Sequence, residues 1–326
     1  MSQRKQPAPF WQRFKINRLE DLGNAVLGAE LEVLQMPGPP ARGSLAFGAR
    51  DGVIFSTGLI QGRISVRGLL SREAITLGVG LRFGPGSRFW LNPVTDGDVG
   101  VFLPGDACDI LLTEGSLYFA ANLSEERLEE EAAREGLVFD RRTITRSGLH
   151  SKAIAHHTLD RLRNSVARLH DHRHTADNES IGRAALRTVI EHYARLPIEC
   201  AGRTDPVGRG KIVHRAQEFI RANLDRPISL DAIAAAAGTS QRTLARAFRE
   251  VLGEPPASYV RRLRLHRIRR ALVRGEGSGR TIHEIAAAWG IGEPGRMAGV
   301  YRELFGEYPH DTLSLHSMRR RHGVAL

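Results

Sequence analysis

The last third of the chain repeats itself. The stretches "SLDAIAAAAGTSQRTLARAFREVLGEPP" and "TIHEIAAAWGIGEPGRMAGVYRELFGEYP" begin at Ser229 and Thr281. Ile233, Gly238, Phe248, Gly253 and Pro256 match Ile285, Gly290, Tyr301, Gly306 and Pro309, at an offset of 52 before the turn and 53 after it. Each copy runs in one order: a Ser or Thr cap, a short Ala-rich helix, a Gly, a second helix, a Gly stop and a Pro. A short helix, a Gly turn and a second helix form a helix-turn-helix unit. The pattern predicts two such units, at about 229–253 and 281–306.

In the first copy Leu244, Phe248, Val251 and Leu252 fall at helical spacing, with Arg242, Arg246 and Arg249 between them. The apolar set can pack on the preceding helix and leave the arginines outward. A second helix of this kind lies in the DNA major groove while the first crosses the backbone. Arginine there bonds guanine O6 and N7 with both prongs or clamps phosphate. Between the copies, "SYVRRLRLHRIRRALVRG" predicts one helix. Tyr259, Leu263, Leu265, Ile268 and Leu272 would be buried, and Arg261, Arg262, Arg264, Arg267, Arg269 and Arg270 solvated. Ser258–Arg274 spans about 25 Å at helical rise, enough to set two recognition helices near one DNA turn, about 34 Å, apart.

Charge separates this region from the rest. Residues 209–326 hold 21 Arg and Lys against 11 Asp and Glu, a net of +10 within a chain total of +11. Residues 1–208 hold 26 basic and 25 acidic residues. An anionic partner is therefore expected for the C-terminal third. Only four of the 47 basic residues are Lys, and Arg suits phosphate and base edges better than Lys does.

Residues 43–121 read as β. "ITLGVGLRF" alternates, with Ile75, Leu77, Val79, Leu81 and Phe83 on one side and Thr76, Gly78, Gly80 and Arg82 on the other. "VIFSTGLI", "RISVRGLL", "VGVFL", "DILL" and "SLYFAA" are further strands. The turn pairs Asp51-Gly52, Pro85-Gly86, Asp96-Gly97 and Pro104-Gly105 separate them. Short strands at this spacing predict a small barrel or sandwich. Helices follow over 124–200. Ser124 can cap "SEERLEEEAAREGL", where Glu130–Arg134 is an i,i+4 pair and the carboxylates form a solvated face. Ala155, Leu159, Leu162, Val166 and Leu169, then Leu186, Val189, Tyr193 and Leu196, make an α-hairpin with a narrow apolar seam. The seam either packs on the β region or, through Leu159, Leu162, Val166 and Leu169, joins two copies of the chain. "CAGRTDPVGRG", 200–210, reads as a linker.

Chemical sites are sparse. All 13 histidines lie at or beyond His150, so a metal-binding cluster on the strands is not expected. His170, His172 and His174, with Asp171 and Asp177, read as a solvated loop, with a metal or pH sensor as the competing reading. Cys108 and Cys200 have no metal or disulfide spacing and suit a reducing cytoplasm. The charged N-terminus lacks an apolar signal core, and no run approaches the roughly 18 apolar residues of a membrane span. "HEIAA" at His283 lacks the second His of a zinc protease, and "GEGSG" at Gly275 follows a helix rather than a strand. No enzyme motif, cofactor or metal is expected.

Over about 209–313 the sequence resembles the AraC/XylS family of bacterial transcription regulators. The resemblance rests on the two unequal helix-turn-helix units, "S-x-R-x-L-x-R-x-F" from Ser240 to Phe248, "RLRLHRIRRAL" and the closing "ELFGEYP". It implies groove-facing positions at Arg242, Ala245 and Arg246 in the first recognition helix. In the second they are Pro294, Gly295, Arg296, Ala298 and Gly299. Ser240, Gln241, Arg249 and Arg302 complete the expected DNA-contacting set. The chain departs from the family where Ile291, Met297 and Tyr301 stand in place of Phe. The resemblance also implies an N-terminal domain that binds an effector, dimerises, or both.

The fold expected is α+β. A cupin-like β-barrel (25–122) with an α-hairpin (124–199) forms domain 1–199. After the linker comes an all-α, double helix-turn-helix DNA-binding domain, 211–326. Phe83, Phe89, Trp90 and Phe102 are the candidate effector pocket; plain core packing is the competing reading. The expected function is sequence-specific control of transcription from double-stranded DNA in the cytoplasm. Its expected partners are a small-molecule effector, a second copy and RNA polymerase, with no membrane. An architectural DNA-binding protein, or a β-barrel enzyme fused to a DNA-binding tail, are the alternatives.

Overall fold

The computed structural model describes residues 10–138, 146–150, 152–171, 179–194, 206–275, 280–292 and 294–314 of the chain, and not the side chains of Asn24, Pro294 and Gly295. His172, His174, Asp177, Leu196, Cys200, linker residues 200–205 and residues 276–279 of "GEGSG" lie outside the described residues. The chain forms two compact units: Met1–Val33 with Ala41–Thr204, and Leu34–Pro40 with Asp205–Leu326.

The first unit is built on two antiparallel sheets. Its strands are β1 (Gln12–Ile16), β2 (Glu30–Gln35), β3 (Arg42–Arg50), β4 (Val53–Gln61), β5 (Ile64–Leu69), β6 (Ile75–Arg82), β7 (Arg88–Phe89), β8 (Asn92–Pro93), β9 (Val99–Phe102), β10 (Ala107–Leu112), β11 (Ser116–Leu123) and β12 (Gly148–Leu149). One sheet has the order β1-β3-β4-β11-β6-β9-β12 and the other β2-β5-β10-β7-β8. Each sheet ends in edge strands, so the expected closed barrel does not form. Closure needs the first and last strands of a sheet to pair, whereas among the described residues β1 pairs with β3 and β12 with β9. Strand alternation specifies which face is apolar but not which edges join, and two stacked sheets satisfy the same pattern.

Asp51-Gly52 makes the β3–β4 hairpin, with both residues at positive φ (50° and 76°), the backbone of a two-residue I′ turn. On β6, Ile75, Leu77, Val79 and Leu81 pack under helices α2 (His156–Ala167) and α3 (Glu179–Ala194) in the main core. The opposite face carries Thr76, Gly78 and Gly80 toward the second sheet. Helix α1 (Glu125–Arg134) starts at Ser124, whose Oγ accepts a hydrogen bond from Arg127 N at 3.2 Å. Arg134 pairs with Glu131, three residues back, at 2.8 Å; the expected Glu130–Arg134 pair is replaced by Glu130–Arg127.

The second unit is helical: α4 (Arg209–Ala222), α5 (Leu230–Ala236), α6 (Gln241–Leu252), α7 (Pro256–Arg274), α8 (Ile282–Ala288) and α9 (Pro294–Phe305). Side-chain caps begin α5, α6 and α8, from Ser229, Ser240 and Thr281, each accepting from the backbone N–H three residues on. Pro256 opens α7 at its first turn, where a missing N–H costs nothing. No helix among the described residues is long and apolar enough to cross a membrane.

Candidate nucleic-acid interface

Helices α5 and α6 meet through Gly238, held at φ +64°, and α8 and α9 follow the same path through Gly290 at φ +69°. This left-handed backbone favours glycine because it has no Cβ to clash. Below the first turn, Leu244, Ala247, Phe248, Val251 and Leu252 are buried, and Phe248 meets Tyr259 edge-on at 5.6 Å. Opposite them Ser240, Gln241, Arg242, Arg246 and Arg249 are exposed and Ala245 is half-buried. Ser240 caps α6, and Gln241 Nε2 donates to Asp231 Oδ1 of α5, so these two fix the turn. The guanidiniums of Arg242, Arg246 and Arg249 enter no hydrogen bond or ion pair among the described residues. Three cations on successive turns thus stand in solvent, on a helix whose other face is locked.

The second unit presents less. Arg296, Gly299 and Arg302 are exposed on α9 and Ala298 is half-buried. Arg302 is engaged within the protein: Nη1 donates to the Tyr308 hydroxyl at 2.8 Å and the guanidinium lies 5.0 Å above the Tyr308 ring. Pro294 begins the helix. Arg261, Arg264 and Arg296 line a groove of about 580 Å³ that also takes in Ile233, Met297 and Val300.

Helix α7 corrects the expectation that its six arginines are all solvated. Arg262 and Arg269 are both 4% exposed. Arg262 donates to Glu254 Oε1 through Nε (3.0 Å) and Nη2 (2.5 Å), and to Gln35 O at 3.3 Å, with its guanidinium 5.0 Å from the Tyr259 ring. Arg269 donates to Glu307 Oε1 at 2.8 Å and stacks 4.7 Å over Phe305. Glu254 and Glu307 occupy equivalent places, in Gly-Glu-Pro-Pro and Gly-Glu-Tyr-Pro at the end of each copy. That repeated Gly-Glu-x-Pro was the signal available in the sequence. His266, between the two arginines, has its Nε2 3.1 Å from Gln35 O. Burial, then the charges of Arg262 and Arg269, push its pKa down to about 3 against that hydrogen bond, so the ring is neutral.

In the first unit the other expected sites separate. Phe89 and Phe102 line a cavity between the sheets; outside its lining, Phe83 packs edge-on against Phe89 at 5.6 Å and Trp90 lies tilted against Phe102 at 5.2 Å. Leu159, Leu162, Val166 and Leu169 are all buried in the core beneath β6 and β11, which leaves no free seam for a second copy. Period and apolarity cannot distinguish an intramolecular from an intermolecular neighbour. His170, expected in a solvated loop, is also buried: Nδ1 lies 2.8 Å from Ser44 Oγ and Nε2 3.1 Å from Thr57 Oγ1. No group of three His, Cys, Asp or Glu could hold a metal among the described residues.

A helix-turn-helix domain family matches residues 233–314. Among curated relatives, the "XylDLEGF operon transcriptional activator 2" of Pseudomonas putida is 40% identical over 143 residues, covering 41% of this chain and 91% of that protein. The chain belongs to the AraC/XylS family of transcription regulators. It is a DNA-binding regulator and not an enzyme. Another curated relative matches over a shorter stretch. The "XylDLEGF operon transcriptional activator" of Pseudomonas putida is 41% identical over 99 residues, 30% of this chain and 31% of that protein. A probable AraC family transcriptional regulator from Rhodopseudomonas palustris CGA009 is 32% identical, covering 32% of this chain and 96% of that one, with a TM-score of 0.31. Where this AraC/XylS chain departs from the family's Phe residues, it keeps the positions apolar. Ile291 is half-buried, Met297 and Tyr301 are buried, and all three join one core. The Tyr301 hydroxyl lies 3.0 Å from Thr312 Oγ1.

Proposed function

We propose that residues 211–326 read an operator unequally. The first recognition helix would contact bases through Arg242 and Arg246, beside Ala245, with Ser240, Gln241 and Arg249 on the flanking backbone. The second, through Pro294, Arg296, Ala298 and Arg302, would grip backbone or read groove shape. The observation that carries this reading is the set of three exposed guanidiniums on α6 that have no partner among the described residues. On α9, two glycines and a Tyr308-bound Arg302 stand in their place. Residues 1–199 would control this binding in response to a small molecule, and by analogy with activators among the relatives the outcome would be raised transcription, with RNA polymerase as a partner.

The test is selection of preferred duplexes by the full chain, followed by affinity measurements on the best site and a scrambled one. Arg246→Ala is expected to cost about 1–3 kcal/mol on the selected site and to relax one base preference. Arg296→Ala is expected to weaken both duplexes about equally and to lower the salt slope by about 1. Base preference that survives Arg246→Ala refutes the assignment. Uniform binding of every duplex by the unaltered protein supports an architectural role instead.

A further inference from the structure

The cavity between the two sheets of the first unit leaves about 70 Å³ for the centres of water-sized molecules. A single water needs roughly 10–15 Å³ by that measure, so the space exceeds one water. Val26, Leu31, Val66, Leu70, Phe89 and Phe102 supply much of its wall. Gly78 and Gly100 supply backbone where side chains would otherwise fill the interior. The cavity is therefore a consequence of the "ITLGVGLRF" alternation, whose small-residue face meets the second sheet.

Few polar groups reach this wall, and most are spent. The Tyr118 hydroxyl donates to Ala25 O. Asp98 caps a turn, accepting from Thr95 N at 2.7 Å and from Thr95 Oγ1 at 3.2 Å. Thr76 is 1% exposed, and its Oγ1, which has no hydrogen-bond partner among the described residues, is closed off from the cavity space as well. Among the described residues no Lys, Arg or His lines the cavity. An anion there would be buried without a counter-charge and beside Asp98, a heavy penalty. Burial raises the Asp98 carboxyl's pKa.

The geometry points to this cavity as a binding site for a compact, uncharged, predominantly apolar molecule. Concave, largely apolar walls are the usual make-up of a small-molecule site. The inference rests on the reading that residues 1–199 respond to a small molecule, and it adds the chemical class.

The test is calorimetric titration of the full chain, without DNA, with cyclohexanol, cyclohexanecarboxylate and cyclohexylammonium. Cyclohexanol is expected to bind and the two ions to bind at least about tenfold more weakly. Gly78→Ala should weaken cyclohexanol on the order of tenfold by filling the space. A Cβ at Gly78 would meet its nearest atom, Phe119 O, at 3.6 Å, an ordinary contact, so that variant is expected to fold. Its melting temperature checks this. Absence of cyclohexanol binding at millimolar concentration, equal binding of either ion, or unchanged binding by folded Gly78→Ala overturns the assignment. Binding that leaves operator affinity unchanged would instead overturn control by residues 1–199 and leave the site standing.

Discussion

The two helix-turn-helix units share a frame and differ in what they show to solvent. Both begin at a hydroxyl cap, turn at a left-handed Gly, and end in Gly-Glu-x-Pro with the Glu on an arginine of α7. The first buries a continuous apolar face and exposes three arginines on α6. The second exposes Arg296 and a glycine, and binds Arg302 back onto Tyr308. The difference teaches that the repeat preserves the interior while the outward face varies. Packing requires the same shapes twice, and a DNA-facing surface does not.

The frame's least forgiving element is its pair of buried ions, and here the units should differ most in stability. Arg262 and Glu254 side chains are each 4% exposed, whereas Arg269 is 5% and Glu307 22% exposed. Glu254→Ala leaves a buried guanidinium without its carboxylate, at an expected cost of about 3–5 kcal/mol. Glu307→Ala should cost less, because water can reach the vacated site. Urea denaturation of the full chain checks the order. A larger loss from Glu307→Ala would break the comparison.

His266 lies between these pairs, and its response to acid sharpens the contrast. Its pKa is about 3 in the folded protein against an ordinary 6.5. Between those values the unfolded chain takes up a proton that the folded chain refuses. The neutral ring's contribution is thus fully present above pH 6.5 and is lost as pH falls toward 3. At about 1.4 kcal/mol per pH unit, lowering the pH from 6.5 to 5 should cost about 2 kcal/mol. His266→Gln should remove that part of the pH dependence, read from urea midpoints at pH 7 and pH 5. The ring meets Phe305 of α9 edge-on at 5.0 Å, so hydrogen exchange in α9 should rise before that in α6.

The helical unit was largely legible because its signals are local. Ser229, Ser240 and Thr281 cap helices within three residues, and Gly238 and Gly290 mark turns by a conformation other residues avoid. What escaped depends on partners far along the chain. Arg262 and Arg269 look solvated until Glu254 and Glu307 are brought beside them. His170 looks like a loop residue until Ser44 and Thr57 approach from strands more than 100 positions away. The alternation of β6 identified its two faces correctly as apolar and small, but the cavity required knowing which sheet lies opposite Thr76 and Gly78. Phe89 and Phe102 were found there by their aromatic character, and Phe83 and Trp90, with the same character, pack behind them.

The smallest expected effect bears most directly on what the second unit does. Gly299 sits within α9 on its exposed side, and a Cβ there would find no protein atom within 4 Å. Alanine should therefore stabilise the helix by about 1 kcal/mol. If the absent side chain lets α9 approach the sugar-phosphate backbone, the same methyl obstructs that approach. Gly299→Ala should then melt higher yet bind selected and scrambled duplexes more weakly by a similar factor. Loss confined to the selected duplex would mean that α9 reads bases, and the asymmetry between the units would disappear. Thermal melts and paired affinity measurements on one preparation separate the two effects, because helix stabilisation alone predicts binding that is unchanged or tighter.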